Sequence, residues 1–282
     1  MIDETSYATV AFTDRSLEKA FDVIAETGFP QVELTCNPPH VDHPLKPDEI
    51  SQILNLSNKS GVRIRTIHGP TMPVALGIPD HDSWKISMAA LEKFINIASD
   101  LGATDMVIHP VASSGYIENA KSPDVFEKIK NAVPHSLDYL LPIAEKLKVC
   151  INLENLPYND IPYPYLTMKE LRPLVDLYPS DYLGLILDTG HVGVLGDNMV
   201  EEITIAGSRL KGTHIHDVDH PKGTDHIGPK RGFLNWESLL QTLQEIHYSG
   251  PYTFESIIPK ENETTESLAI YVREFAKSWL NI

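Results

Sequence analysis

The sequence predicts an α/β protein with the architecture of a closed (β/α)8 TIM barrel. Short β-branched or apolar runs alternate with amphipathic stretches of helical periodicity, and a repeat of about 35 residues gives eight strand–helix units in 282 residues. Glycines at positions where left-handed C-caps are expected, Gly28, Gly61, Gly102 and Gly250, follow four of the helical stretches. Because strictly alternating strands and helices form parallel sheets, eight such units close most economically into a barrel.

The predicted strands, in chain order, are Tyr7–Phe12, Gln31–Thr35, Arg63–His68, Asp105–His109, Cys150–Glu154, Leu183–Asp188, Leu210–His216 and Tyr252–Glu255. The predicted helices are Ser16–Thr27, Pro47–Ser60, Ser83–Leu101, Asp124–Lys146, Leu166–Leu177, Met199–Ala206, Trp236–His247 and Thr264–Leu280. No Gly/Ser-rich linker divides the chain, so we expect residues 1–282 to form a single domain. A doubly wound open sheet is the alternative, but no glycine-rich dinucleotide-binding motif follows the first strand.

Composition excludes several classes of partner. The chain has 42% hydrophobic residues and a formal net charge of -16, and no cluster of Lys and Arg interrupts this acidic surface. Nucleic-acid binding, which depends on neutralising phosphates, is therefore disfavoured. No run approaches the ~18 apolar residues that would span a bilayer. Two cysteines, Cys36 and Cys150, are too few for a disulfide scaffold, and Met1–Glu4 lack signal-peptide features, so we expect a cytoplasmic protein.

The carboxyl ends of six successive predicted strands carry an unusual set of ionisable side chains. From strand three to strand eight they are His68, His109, Glu154, Asp188, His214 or His216, and Glu255. Each alone is also typical of a solvated strand end. Together they lie at the barrel rim that holds active sites, where converging carboxylates repel one another unless a cation lies between them. Carboxylates and imidazoles bind divalent ions, so the pattern predicts one bound Mn, Co, Mg or Zn.

Three segments carry a resemblance to a known family. They are Asp188–His191, the turn from His214 to Asp217, and the loop and helix start Asp225–Trp236. The chain from Gly28 to Glu255 resembles the xylose-isomerase-like TIM barrels. This family includes sugar and sugar-phosphate isomerases and epimerases, and it is related to the endonuclease IV group.

The epimerase branch of the family implies four metal ligands. Carried over to this chain they are Glu154, Asp188, His214 and Glu255. His214 is preferred to His216 because the family's metal-binding histidine stands three residues before an aspartate, here Asp217. The resemblance also implies that Glu154 and Glu255 act as catalytic base and acid on opposite sides of the substrate carbon.

Substrate-binding roles are predicted for further residues near the same rim. We expect imidazoles to orient substrate oxygens and Arg231, or its neighbour Lys230, to meet a phosphate or carboxylate group. Glu33 at the end of strand two is expected to bind a substrate hydroxyl, with a solvated rim carboxylate as the alternative. The predicted substrate-binding residues are His68, His109, His191, Glu33, His226 and Arg231.

The resulting hypothesis is a divalent-metal-dependent isomerase or epimerase of a small sugar, sugar phosphate or polyol ketone. Proton transfer would pass through a metal-stabilised enediolate. One alternative is an endonuclease IV-like zinc phosphodiesterase acting on abasic DNA, with a second zinc at His68, His109 and Glu154. Thr224 stands where that group has an aspartate ligand. A non-catalytic metal- or sugar-binding barrel is the other alternative. The expected partner is a small carbohydrate. The sequence does not decide whether the protein forms a homo-oligomer.

Overall fold

Eight parallel strands close into a barrel, which confirms the predicted (β/α)8 architecture. The computed structural model describes residues 3–71, 73–158, 161 and 163–282. Each strand pairs in parallel with the next along the chain, and β1 closes the barrel by pairing with β8. The strands are β1 Thr5–Ala8, β2 Gln31–Thr35, β3 Arg63–His68, β4 Asp105–Ile108, β5 Cys150–Glu154, β6 Leu183–Asp188, β7 Leu210–Ile215 and β8 Tyr252–Phe254.

The helices follow the predicted order, with one addition. Within the described ranges they are α1 Leu17–Glu26, α2 Pro47–Ser60, α3 His81–Asp100, α4 Pro123–Leu147, α5 Met168–Val175, α6 Thr189–Leu195, α7 Met199–Ala206, α8 Trp236–Glu245 and α9 Thr265–Leu280. The short helix α6 was not predicted, since Thr189–Leu195 was assigned neither to a strand nor to a helix. None of the described helices combines the length and hydrophobicity that crossing a bilayer requires.

The predicted glycine C-caps are correct at three positions and wrong at the fourth. Gly28, Gly61 and Gly102 have positive φ angles of 86°, 73° and 74° just after α1, α2 and α3. After α8 the left-handed position is taken by His247, with a φ of 56°. Gly250 is instead required by close approach, since a Cβ atom there would overlap the backbone carbonyl of Lys211.

The first predicted strand is wrong at both ends. β1 covers Thr5–Ala8, and Thr9–Phe12 forms a 3-10 helix. The Thr9 side chain accepts a hydrogen bond from the backbone N–H of Thr35 at 2.9 Å. Phe12 is fully buried against Tyr7, so the apolar run is satisfied by packing in the 3-10 helix and not by extending the strand.

Three other strands end one residue earlier than predicted. β4, β7 and β8 stop at Ile108, Ile215 and Phe254. His109 and Glu255 therefore stand at the first loop position after their strands, where a side chain is free to turn over the barrel mouth.

Two apolar clusters support this mouth. The larger apolar cluster joins the strands to the surrounding helices. A second cluster lies under the loops that follow β3, β4 and β5, and it includes Ala75, Ile78, Val111, Ile117 and Ile161. Buried apolar side chains thus fix the loops above strand ends, which makes that rim a rigid platform.

Candidate functional site

Four predicted metal ligands meet at the carboxyl ends of β5 to β8. One ligand atom from each of Glu154, Asp188, His214 and Glu255 lies within 4.8 Å of all the others. The Nδ1 atom of His214 is 3.2 Å from a carboxylate oxygen of Glu154 and 3.2 Å from one of Glu255. It is 3.7 Å from Asp188 Oδ2. We call these four residues the main cluster.

The chemistry of the main cluster fits a divalent ion. Asp188 and His214 are fully buried, Glu154 is 1% exposed and Glu255 is 7% exposed. In the part of the chain that the structure describes, no Lys or Arg forms an ion pair with the three carboxylates, whose charged partners are histidines. Buried like charges are unstable without a compensating cation. Oxygen and imidazole donors in this number suit Mn, Co, Mg or Zn.

The pKa shifts in the main cluster reflect three buried carboxylates that have no Lys or Arg partner among the described residues. Burial opposes ionisation of Glu154, but neighbouring His214 and His109 outweigh it and hold the Glu154 pKa well below its usual value. Burial, with the nearby Glu154 charge, raises the pKa of Asp188. Burial would lower the His214 pKa, yet Glu33, Glu255 and Glu154 raise it well above its ordinary value. Without a cation, bound protons supply the compensating charge.

A second ligand group shares Glu154 with the main cluster. The Nε2 atoms of His68 and His109 lie 3.3 Å and 3.1 Å from Glu154 Oε2. His68 Nδ1–H donates to the carbonyl of Gly69 at 2.9 Å, so Nε2 is the nitrogen that faces the carboxylate. The structure therefore brings together the three residues predicted for a second zinc ion.

Two further predicted histidines lie beside the main cluster. Helix α6 starts directly after Asp188, whose Oδ1 caps it by accepting the His191 backbone N–H at 2.7 Å. His191 Nδ1–H donates to the carbonyl of Asn155 at 2.8 Å. His226 has a φ of 57°, and its Nδ1 lies 2.9 Å from Asp225 Oδ1. Each imidazole thus has its Nδ1 fixed at short range. The Nε2 of His191 lies 4.0 Å from Asp225 Oδ2, and the Nε2 of His226 lies 3.9 Å from Glu255 Oε2.

These side chains open into a cavity of about 620 Å³. Its histidine and glutamate lining residues are His68, His109, Glu154, His191, His226 and Glu255. The remaining lining residues are polar or apolar: Val10, Thr35, Asn37, Pro38, Thr71, Tyr116 and Ile257. The cavity thus pairs a charged floor with a wall that carries apolar side chains, as small-molecule sites commonly do.

The family model "Xylose isomerase-like TIM barrel" matches residues 21–275. The chain belongs to this family. A D-psicose 3-epimerase from Enterocloster bolteae is 24% identical over 86% of this chain and 77% of its own length. Among solved structures, a D-tagatose 3-epimerase-like protein has a TM-score of 0.81 at 22% identity, covering 99% of this chain and 97% of its own. The IolI protein with a bound zinc atom has a TM-score of 0.82 at 20% identity, covering 99% and 98%.

In this xylose isomerase-like barrel, His216 supports the predicted ligand Asp188 and is not itself part of the main cluster. Its Nε2–H donates to Asp188 Oδ2 at 2.8 Å, and its Nδ1 accepts the backbone N–H of His226 at 2.9 Å. Burial and the neighbouring His226 lower the pKa of His216 to about 3, so it is neutral. Its atoms also fall in a third group with Asp188, His191 and His226. Since both of its ring nitrogens are hydrogen-bonded, His216 orients Asp188.

Gly190 makes room for the His216 ring, and this gives a stability prediction. A Cβ atom at position 190 would overlap the imidazole of His216. We expect Gly190→Ala to lower the free energy of unfolding by about 1–3 kcal/mol, the usual cost of overpacking, despite the better helix propensity of Ala. Urea unfolding of the two proteins measures the difference.

Gly115→Ala is the matched control, since a Cβ atom at Gly115 meets nothing within 4 Å. Equal stability of Gly190→Ala and Gly115→Ala would contradict the steric role assigned to Gly190.

Two predicted substrate-binding residues do not line the cavity. Glu33 is fully buried, and its Oε1 lies 3.1 Å from His214 Nε2. The Arg231 guanidinium forms a bidentate pair with Glu263 at 2.7 Å and 2.8 Å. It also stacks 4.1 Å from the ring centroid of Tyr271. Both side chains therefore have partners within the protein, and neither lines the cavity.

Sequence reasoning gave no role to two residues that hold the site. Asn155 fixes Asp188 through the backbone: its Oδ1 accepts the Asp188 N–H at 2.7 Å, and its Nδ2–H donates to the Asp188 carbonyl at 3.0 Å. Asp217 accepts hydrogen bonds from the Trp236 indole at 3.2 Å and the Val218 N–H at 2.9 Å, which ties the loop after β7 to α8. Asn155 directly follows Glu154, and that adjacency was the available signal.

Proposed function

We propose that this protein is a divalent-metal-dependent isomerase or epimerase of a small sugar, sugar phosphate or polyol ketone. The observation that carries the proposal is the placement of Glu154 and Glu255 around one point. Each has a carboxylate oxygen 3.2 Å from His214 Nδ1, and both line the same cavity. The D-psicose 3-epimerase relative and the D-tagatose 3-epimerase-like structure support this reaction class. The zinc-bound IolI structure supports a metal ion.

The residues divide the chemistry of proton transfer between them. Glu154, Asp188, His214 and Glu255 would hold the ion. A bound divalent ion supplies Lewis acidity, which polarises a carbonyl and stabilises negative charge on its oxygen. One glutamate accepts the proton from the carbon beside the substrate carbonyl, and the other returns a proton. Return from the opposite side inverts that carbon and gives epimerisation, whereas return to the neighbouring carbon gives isomerisation.

Histidines at the cavity floor orient the substrate. Burial would lower the pKa of His226, but a hydrogen bond with Asp225 and the charge of Glu255 raise it to about 9. A protonated His226 donates a charge-assisted hydrogen bond to a sugar oxygen. His191 presents its Nε2 to the same region, since its Nδ1 is occupied by Asn155. Hydroxyl recognition therefore rests on imidazoles, and the apolar wall faces the C–H surface of the sugar.

A phosphodiesterase acting on abasic DNA is the second candidate. The assembly of His68, His109 and Glu154 into a ligand group favours it, because a second metal ion would serve in-line phosphoryl displacement. The formal net charge of -16 disfavours it, since DNA recognition requires basic surfaces. Of the described residues that line the cavity, none is Lys or Arg.

Two measurements test the proposal together. The metal content of the purified protein is determined by elemental mass spectrometry. Incorporation of solvent deuterium is then followed by proton NMR over a panel of ketoses, ketose phosphates and inosose-like polyols. We expect at least one divalent ion per chain and deuterium exchange at a carbon beside the carbonyl of one substrate.

The surface variant His220→Asn is the control for this assay, because His220 is 69% exposed. Absence of exchange over the whole panel with metal-loaded protein would refute the proposed reaction. Two zinc ions per chain with cleavage of abasic DNA would replace it with the phosphodiesterase.

A further inference from the structure

Glu33 is a buried carboxylate on β2 that faces the metal-ligand histidine from the side opposite the main cluster. Its exposure is 0%. Its Oε2 accepts the Nε2–H of His214 at 3.2 Å, and its Oε1 lies 3.1 Å from the same nitrogen. The other ring nitrogen, Nδ1, faces Glu154 and Glu255. The imidazole of His214 is therefore held between carboxylates at both nitrogens.

Nothing else among the described residues accounts for this buried charge. His214 is the only side chain there that forms a hydrogen bond or ion pair with the Glu33 carboxylate. The chain neighbours of Glu33 on β2, Val32 and Leu34, are fully buried apolar residues. Burying a carboxylate is costly unless a specific partner compensates it. Since Glu33 does not line the cavity, that partner is His214 and not a substrate hydroxyl.

We propose that Glu33 is a positioning residue, which fixes the proton of His214 on Nε2 and directs the Nδ1 lone pair toward the bound divalent ion. A carboxylate hydrogen-bonded to the far nitrogen of a ligating histidine sets its tautomer, holds its ring plane and increases the basicity of the near nitrogen. Loss of such a partner typically weakens metal binding by about 10–100-fold. This proposal rests on the metal dependence in the proposed function.

The test compares Co²⁺ binding to wild type and Glu33→Gln, followed by visible absorption and by competition with a chelator. Glutamine has nearly the same size and can still accept the Nε2–H bond, but it lacks the negative charge. We expect Glu33→Gln to bind Co²⁺ about 10–100-fold more weakly. We expect Glu33→Asp, which keeps the charge on a shorter side chain, to recover part of the affinity.

Glu202→Gln is the matched control, because Glu202 is also buried, at 6% exposure, and accepts a backbone hydrogen bond from Met168. It should bind Co²⁺ as wild type does. Unchanged Co²⁺ affinity in Glu33→Gln with a raised KM for the sugar would overturn the positioning role and restore direct substrate binding, while the proposed function would stand. Failure of wild type to bind Co²⁺ would instead remove the metal dependence, and this proposal with it.

A measurement on wild type keeps the test independent of whether the variants fold. Nitrogen-15 NMR of the zinc-loaded protein reports which nitrogen of His214 carries the proton, with assignment from His214→Gln. A protonated Nε2 with Nδ1 bound to zinc is expected. Zinc bound at Nε2 would overturn the proposal.

Discussion

Glu154→Gln is expected to abolish solvent-proton exchange and to weaken divalent-ion binding. Glu154 is the carboxylate shared by both ligand groups, with His214 on one oxygen and His68 and His109 on the other. The amide keeps the shape of the side chain but can neither remove a proton nor supply negative charge to the ion. Loss of general base catalysis alone costs about 10²–10⁴-fold in rate. Deuterium incorporation by NMR and Co²⁺ titration measure the two effects separately.

The control for this variant is Glu127→Gln, since Glu127 is exposed on α4 and removes the same charge from the chain. Circular dichroism establishes that Glu154→Gln is folded. Exchange within a few-fold of wild type in a folded Glu154→Gln protein would rule out the mechanism with two glutamates.

The metal-free protein is expected to lose stability as the pH rises from 6.5 to 9. Burial lowers the pKa of His68 and of His226, but Glu154 outweighs burial at His68, and Asp225 and Glu255 outweigh it at His226. Both pKa values rise from 6.5 to about 9. Between these values the folded protein binds protons that the unfolded chain has released. The stabilisation that these two histidines contribute is therefore fully present below pH 6.5 and is lost as the pH rises toward 9.

The expected size of this loss is about 3 kcal/mol for each histidine. Because ~1 kcal/mol shifts Tm by about 2–4 °C in domains of roughly 150–250 residues, a clear fall in Tm is expected with a chelator present. Differential scanning calorimetry at several pH values measures it.

Two histidine variants sharpen the pH experiment. His226→Asn removes one of the histidines whose pKa is raised, leaving His68 and His214, and should make the fall in Tm smaller. Asn tolerates the left-handed backbone at this position. His220→Asn changes an exposed histidine and should leave the fall unchanged. A Tm that stays constant or increases from pH 6.5 to 9 would contradict the assigned proton affinities.

The barrel and the main cluster were predictable because both follow from local patterns. Strand and helix periods are visible within single segments, and a parallel barrel places every strand end at one rim. Glu154 and Asp188 end predicted strands that the structure reproduces without change, Cys150–Glu154 and Leu183–Asp188. The four residues predicted as metal ligands accordingly meet in space.

The surroundings of some predicted residues could not be read from the sequence, because residues far along the chain supply them. The role of Arg231 toward a substrate anion stays a prediction, and its guanidinium contacts Glu263, 32 residues away, and Tyr271. The hydroxyl-binding role of Glu33 likewise stays a prediction, and its carboxylate bonds to His214, 181 residues away. Neither pairing leaves a signal in local periodicity. At the first strand, side-chain packing of Phe12 overrode the β-branched composition.

The close approach of Gly190 to the His216 ring also constrains how relatives of this protein can diverge. A substitution that adds a side chain at position 190 is harmful while the imidazole is present, because the two overlap. The same substitution becomes harmless once a smaller residue occupies position 216, but Asp188 then loses a hydrogen bond. The order of mutations therefore decides their effect, which is sign epistasis. A lineage that avoids the overlap has to loosen the support of Asp188 first.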